Sequence, residues 1–94
     1  SSTELSFYNI LLAELGGEEK VNVNKDKANE AKQVVQSLVQ MLEDATQIVD
    51  FFKKWDEQKR VKREIKRTII QHFDESLVPP VVERFMELAR VKFR

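Results

Sequence analysis

The chain has 94 residues, no cysteine and one histidine, and its 16 Lys and Arg side chains balance its 16 Asp and Glu side chains. This length allows one small domain, and the lack of cysteine excludes a disulfide framework, thiolate metal sites and, with one histidine, the common multi-histidine sites. No stretch has the length and apolarity of a membrane span or a signal peptide, so we expect a cytoplasmic protein.

A first helix is predicted over residues 3–15, TELSFYNILLAEL, which Gly16 and Gly17 follow as a left-handed helix stop. Its apolar residues cover most of the circumference, and such a helix needs burial on several sides. Part of that surface is therefore a candidate for contact with another protein. The candidate residues are Phe7, Tyr8 and Leu11.

A second helix is predicted from Lys27, with Asn24 or Asp26 as its cap. The polar stretch before it, EEKVNVNKD, is interpreted as an extended linker because Val21 and Val23 alternate with asparagines. Apolar residues then recur at steps of three and four, the period of an amphipathic helix. They are Ala28, Ala31, Val35, Leu38, Leu42, Ala45 and Val49.

Two further helices complete the prediction. The stretch IVDFF, residues 48–52, either continues the second helix or breaks it with Asp50 as a new cap, and we favour the break. The next helix is expected to extend to about Phe73. Pro79 and Pro80 exclude a helix interior and suit the first turn of a last helix. The sequence therefore predicts one all-α domain over residues 1–94, a small bundle of about four helices with short loops.

Positive charge is concentrated in the second half of the chain. Residues 1–50 hold nine acids and four bases, whereas residues 51–94 hold seven acids and twelve bases. With 100° per residue, six bases fall opposite the narrow apolar edge of Val61, Ile65 and Ile69. We call these six side chains the basic strip: Lys59, Arg60, Lys62, Arg63, Lys66 and Arg67.

The basic strip admits three interpretations. It is a solvated helix face, a surface for nucleic-acid phosphates, or a surface for an acidic protein; in addition, the two oppositely charged halves could attract each other. Like charges three and four residues apart repel by a few tenths of a kcal/mol per pair, so helix stability does not explain the strip. Trp55 beside it is a candidate for stacking on a base, although burial in the core is the more common position for a lone tryptophan.

Catalytic chemistry is not indicated. No glycine-rich phosphate loop is present, and His72 is expected to be packed or half-exposed on a helix edge. Glu64 and Lys66 match half of a nuclease signature by letters, but that signature belongs on a strand. The acid pairs Glu18-Glu19 and Asp74-Glu75 are interpreted as loop or capping charges. We therefore expect a non-enzyme without cofactor or metal.

Several segments together carry a family resemblance: LSFYNILLAEL (5–15), IVDFFKKWDEQKRVKREIKRTII (48–70), the VPP break and the closing helix. In this order they resemble the C-terminal helical region of the restriction (R) subunit of type I restriction-modification enzymes. The matching positions are Leu5, Phe7, Tyr8, Val49, Asp50, Phe51, Glu64, Lys66, Arg67, Pro79 and Pro80.

The resemblance implies that the chain is the C-terminal fragment of a much larger subunit, an ATP-dependent DNA translocase and endonuclease. This fragment carries none of that chemistry. The resemblance implies that it docks the R subunit onto the methyltransferase core of modification and specificity subunits. With the basic strip, this predicts an assembly module that contacts duplex DNA non-specifically; the alternative is a protein-only interaction domain whose strip meets acidic residues.

Overall fold

The computed structural model describes residues 1–93, so that Arg94, the last residue of the predicted domain, lies outside the described part of the chain. The helices are α1 (Ser2–Glu14), α2 (Glu18–Asn22), α3 (Lys25–Ala45), α4 (Trp55–His72) and α5 (Val78–Lys92). Short 3₁₀ turns at Phe51–Lys53 and Glu75–Leu77 precede α4 and α5. The predicted all-α bundle with four longer helices is confirmed, and residues 1–93 contain no strand.

The four longer helices form a closed ring of contacts. α1 packs against α3 and α5, and α4 packs against the same two helices from the other side. The ring encloses one continuous core to which all four helices and the turn at Phe51 contribute. Its largest fully buried side chains include Phe7, Phe51 and Phe85.

The predicted stop after α1 is a Schellman motif. The Gly17 N–H donates to the Leu12 carbonyl at 2.8 Å, and the Gly16 N–H donates to the Ala13 carbonyl at 3.3 Å. Gly16 has φ of 106° and Gly17 has φ of 102°, a region that side chains with a Cβ rarely adopt.

The linker predicted before α3 is wrong, because Glu18–Asn22 forms the short helix α2. The alternation of Val21 and Val23 was interpreted as extended backbone, but Val21 is fully buried and Val23 is 88% exposed. Val21 packs in a small second cluster with Leu12 and Ala28. A single buried side chain anchors this helix, and one residue produces no helical period in the sequence.

α3 begins at Lys25, two residues before the predicted start, and Asn24, one of the two predicted caps, is its N-cap. The Asn24 side-chain oxygen accepts from the Asp26 and Lys27 N–H groups at 3.0 and 3.3 Å. Its apolar stripe is buried through Ala45, where the helix ends. Val49, expected on the same stripe, is instead 76% exposed, because the chain turns away before it and Asp50 adopts a left-handed φ of 57°. The predicted interruption at Asp50 is thereby confirmed.

The apolar excess of α1 is used inside the domain. Phe7 and Leu11, two of the three predicted protein-contact residues, are fully buried against the other helices of the ring. Phe7 meets the Phe85 ring edge-on, with 5.0 Å between centroids, and stacks on Phe93 at 6.0 Å. In this fold, Phe7 and Leu11 are not on a surface that a partner can reach, and only Tyr8 of the three is partly exposed.

Within residues 1–93, no helix combines the length and the apolar character that crossing a bilayer demands.

Candidate functional site

The predicted orientation of α4 is confirmed. Val61, Ile65 and Ile69 are fully buried and hold the helix against the core. All six residues of the basic strip are exposed on the remaining surface of the helix.

The strip is divided into two sides, which the sequence interpretation did not distinguish. On one side, Arg60 pairs with Glu57 at 3.0 Å and Arg67 pairs with Glu64 at 3.4 Å. Both pairs are three residues apart on the surface of the same helix. Such pairs contribute little to stability, but they lower the net charge on this side of α4.

The other side of the strip forms one wall of an open groove between α4 and α5, with a volume of about 440 Å³. We call its four bases the groove cations: Lys59, Lys62, Arg63 and Lys66. The rest of the groove comes from the first half of α5, mainly Val78, Val82 and Met86, with Glu83 as its one carboxylate. The sequence interpretation missed this apolar wall. The available signal was the pair Val82 and Met86, which are spaced by four and so lie on one face of α5.

The groove cations have no carboxylate within 4.0 Å among residues 1–93. The first half of the chain, although acidic, places no carboxylate within this distance of them. In the described part of the chain, one side-chain hydrogen bond of this kind connects the halves: His72 Nδ1 lies 2.9 Å from Glu30 Oε2, at the far end of α4. The groove cations are therefore not paired with carboxylates of the first half of the chain.

Trp55 is 69% exposed at the start of α4, so its expected burial in the core is wrong. Lys59 places its Nζ 4.8 Å from the centroid of the Trp55 ring, a cation–π contact. The physical reason for the exposure is helical phase. Trp55 precedes Lys59, Lys62 and Lys66 by four, seven and eleven residues, so it shares their face and not that of Val61.

Tyr8, the remaining protein-contact candidate, lines a smaller groove of about 210 Å³ between α1 and α3 together with Leu5, Val35 and Lys32. Burial of the phenol, followed by the nearby carboxylate of Glu18, raises the pKa of Tyr8. Leu5 beside it is 57% exposed. This groove is one part of the α1 surface that remains open to a partner.

The residues considered for catalysis are bonded to neighbouring groups of the fold. His72 is half-exposed and bonded to Glu30, and Glu64 lies on a helix paired with Arg67. Asp74 caps the following turn, where its Oδ2 accepts from the Ser76 N–H at 2.9 Å. The Ser76 hydroxyl, followed by this backbone hydrogen bond, lowers the pKa of Asp74. Within residues 1–93, His, Asp and Glu side chains form no group of three arranged to hold a metal ion.

No family model, no curated protein and no solved structure matches this chain.

Proposed function

We propose that the chain is a non-catalytic binding module that contacts the phosphate backbone of duplex DNA through the groove cations. The observation that carries the proposal is a row of four exposed bases without a carboxylate partner within 4.0 Å in residues 1–93. A solvated face alone does not require this arrangement.

The row is costly without an anion. Lys59 with Arg63 and Lys62 with Lys66 are like charges four residues apart, each repelling by a few tenths of a kcal/mol. From Lys59 to Lys66 the helix rises about 10 Å, which matches about three phosphates along one strand of B-form DNA. Phosphate contacts of this kind are electrostatic and carry no sequence information.

The test is duplex binding as a function of salt. We expect the affinity of a labelled random-sequence duplex, measured by fluorescence anisotropy, to fall with salt at a log–log slope of about 0.9 per phosphate contacted. Lys62→Glu with Lys66→Glu reduces the slope by about two and weakens binding at every salt concentration.

Two matched controls make this test specific. Lys25→Glu with Lys32→Glu changes the net charge equally on the exposed surface of α3, and binding is expected to weaken far less. Arg60→Glu with Arg67→Glu alters the paired side of the strip and is expected to have an intermediate effect. Undetectable binding at low salt, or equal losses from the groove pair and the α3 pair, contradicts the proposal.

An acidic protein segment is the second candidate ligand. The observation that favours it is the apolar wall of Val78, Val82 and Met86 facing the groove cations. A charged phosphate backbone gains nothing from contact with an apolar surface, whereas apolar side chains of a protein segment can pack on it. Competition with poly-glutamate and with a peptide that alternates acidic and apolar residues separates the two. Displacement of the duplex by the peptide at much lower concentrations than by poly-glutamate supports a protein ligand.

We further propose that the module docks an R subunit onto the modification and specificity subunits. What supports this is the family resemblance, together with the exposed surface formed by Leu5 and Tyr8. In an R subunit that carries this chain, Leu5→Arg is expected to weaken co-elution with the other subunits in size-exclusion chromatography. Val23→Arg, at an exposed valine elsewhere, is the control; equal assembly of both variants contradicts docking through this surface.

A further inference from the structure

We propose that Trp55 and the groove cations form a binding site for single-stranded nucleic acid, in which an unpaired base stacks on the indole. This inference rests on the proposed function, because it assigns the ligand class of the same groove. It differs in requiring a base that is not already paired within a duplex.

The placement of Trp55 carries the inference. It is the one tryptophan of the chain, and it is 69% exposed, although every helix of the bundle has buried positions. It begins a stripe that continues with Lys59, Lys62 and Lys66 along one face of α4. By helical rise, Lys59 lies about 6 Å from Trp55 along the axis and Lys66 about 16 Å.

A surface on which an exposed aromatic ring lies next to a row of basic side chains has the two elements of single-strand recognition. Aromatic side chains stack on bases without sequence preference, while a cationic groove follows the backbone. A nucleotide stacked on Trp55 brings its phosphates toward Lys59, one turn further along the helix. Lys59 Nζ lies over one face of the ring, 4.8 Å from its centroid, so this ammonium group is within reach of the phosphate of a base that stacks on the other face.

A blunt duplex offers this site much less. Its bases are stacked on one another, and their faces are inaccessible except at the ends. Single strands, or duplexes with single-stranded tails, present both a base face and a phosphate backbone. We therefore infer that the chain prefers unpaired nucleic acid. This preference depends on Trp55 more than on any single one of the groove cations.

The experiment compares three labelled probes of one sequence: a single strand of about 12 nucleotides, its blunt duplex, and the duplex with a single-stranded tail. Because Trp55 is the one tryptophan, its intrinsic fluorescence reports stacking directly. We expect the single strand and the tailed duplex to quench it and the blunt duplex to leave it nearly unchanged.

Substitutions then assign the preference. Trp55→Ala is expected to weaken single-strand binding by about 5- to 140-fold, the range for losing one stacked base, and to change duplex binding by less than about twofold. Trp55→Phe retains a large part of the affinity. Ile70→Ala is the matched control, because Ile70 is an exposed apolar side chain on the same face near the other end of α4.

The outcomes distinguish the two proposals. Salt-dependent duplex binding with a Trp55→Ala variant that loses nothing on single strands overturns the single-strand site and leaves the proposed function standing. Failure of all three probes to bind at low salt overturns both. Quenching of Trp55 by an acidic peptide with no quenching by a single strand also overturns this inference, in favour of a protein ligand.

Discussion

At the scale of single residues, Asp50 determines where the chain turns between α3 and α4. Asp50 has a positive φ of 57°, and no other non-glycine residue among residues 1–93 has a positive φ. Left-handed backbone costs an ordinary L-residue about 1–2 kcal/mol, and aspartate tolerates it better than most because its short polar side chain can bond locally. The sequence predicted a break here with Asp50 as a new cap; the break is present, but the Asp50 side chain makes no cap hydrogen bond and its left-handed backbone forms the turn instead.

Replacing Asp50 by a β-branched residue tests this account. Asp50→Val is expected to lower the free energy of unfolding by about 1–2 kcal/mol, since valine is a strong outlier in this region. Asp50→Asn, which keeps a short polar side chain, is expected to stay within about 0.5 kcal/mol. Urea denaturation measures both variants, and equal stabilities contradict a role for the backbone angle.

The lowered pKa of Asp74 predicts a dependence of stability on pH. In the folded state the Ser76 hydroxyl, followed by the Ser76 N–H, stabilises the carboxylate, so the group binds its proton more weakly when folded than when unfolded. Its contribution is fully present above the unfolded pKa of about 3.9, and is lost as the pH falls through the lowered folded pKa.

Asp74→Asn separates the titration from the cap, because its amide oxygen can accept the same hydrogen bond without titrating. We expect the original chain to lose stability relative to this variant as the pH falls from about 5 to about 2. Urea midpoints at the two ends of this range measure the difference. Parallel losses in both proteins contradict the assignment to Asp74.

At the scale of elements, the longer helices were predictable and the short one was not. α3 and α4 each place many apolar residues on one face, so their periods are evident in the sequence. α2 has five residues and buries Val21 alone. A helix this short has little intrinsic stability, and tertiary packing of Val21 on Leu12 and Ala28 is what fixes it.

A pair of substitutions tests the anchoring of α2. Val21→Asn is expected to lower the free energy of unfolding by about 1–3 kcal/mol, because it loses apolar burial and places an amide where no partner is available. Val23→Asn makes the same chemical change at an 88% exposed position and is expected to stay within about 0.5 kcal/mol. Similar losses from the two variants contradict the structure of this segment.

At the candidate site, the sequence was sufficient to predict which side chains of α4 are exposed. It was insufficient to predict where α5 lies beside them. The exposure of all six bases followed from the 100° step and the position of Val61, Ile65 and Ile69. Which bases border a groove depends on where α5 lies, and no local pattern encodes that. Trp55 shows that residue type alone can mislead. A tryptophan is usually buried, but the position of Trp55 on the helical turn places it on the exposed face of α4.

At the scale of the whole molecule, the first and last helices close the ring. The Phe7 and Phe85 rings lie at 68° with 5.0 Å between centroids, near the edge-to-face geometry that aromatic pairs prefer. This contact joins residues 78 positions apart and belongs to the central core. The groove depends on it indirectly, since α5 provides one wall while packing against both α1 and α4.

A double-mutant cycle on Phe7→Leu and Phe85→Leu measures this closure. We expect a coupling energy of about 0.5–1.5 kcal/mol beyond the sum of the single effects, because the two rings contact each other directly. Phe85→Leu combined with Val23→Ala is expected to be additive within about 0.3–0.5 kcal/mol. Additivity of the phenylalanine pair as well contradicts a direct interaction across the ring.

The sequence by itself determined the all-α class, the presence of the four longer helices, the turn at Asp50 and the outward direction of the basic strip. These follow from neighbours along the chain, through helical period, capping side chains and the backbone preferences of glycine, proline and aspartate. The tertiary structure alone decided that Phe7 and Leu11 are enclosed, that Val21 anchors a helix and that four bases face α5 across a groove. Those outcomes depend on which distant segments meet, and packing sets this over the molecule as a whole.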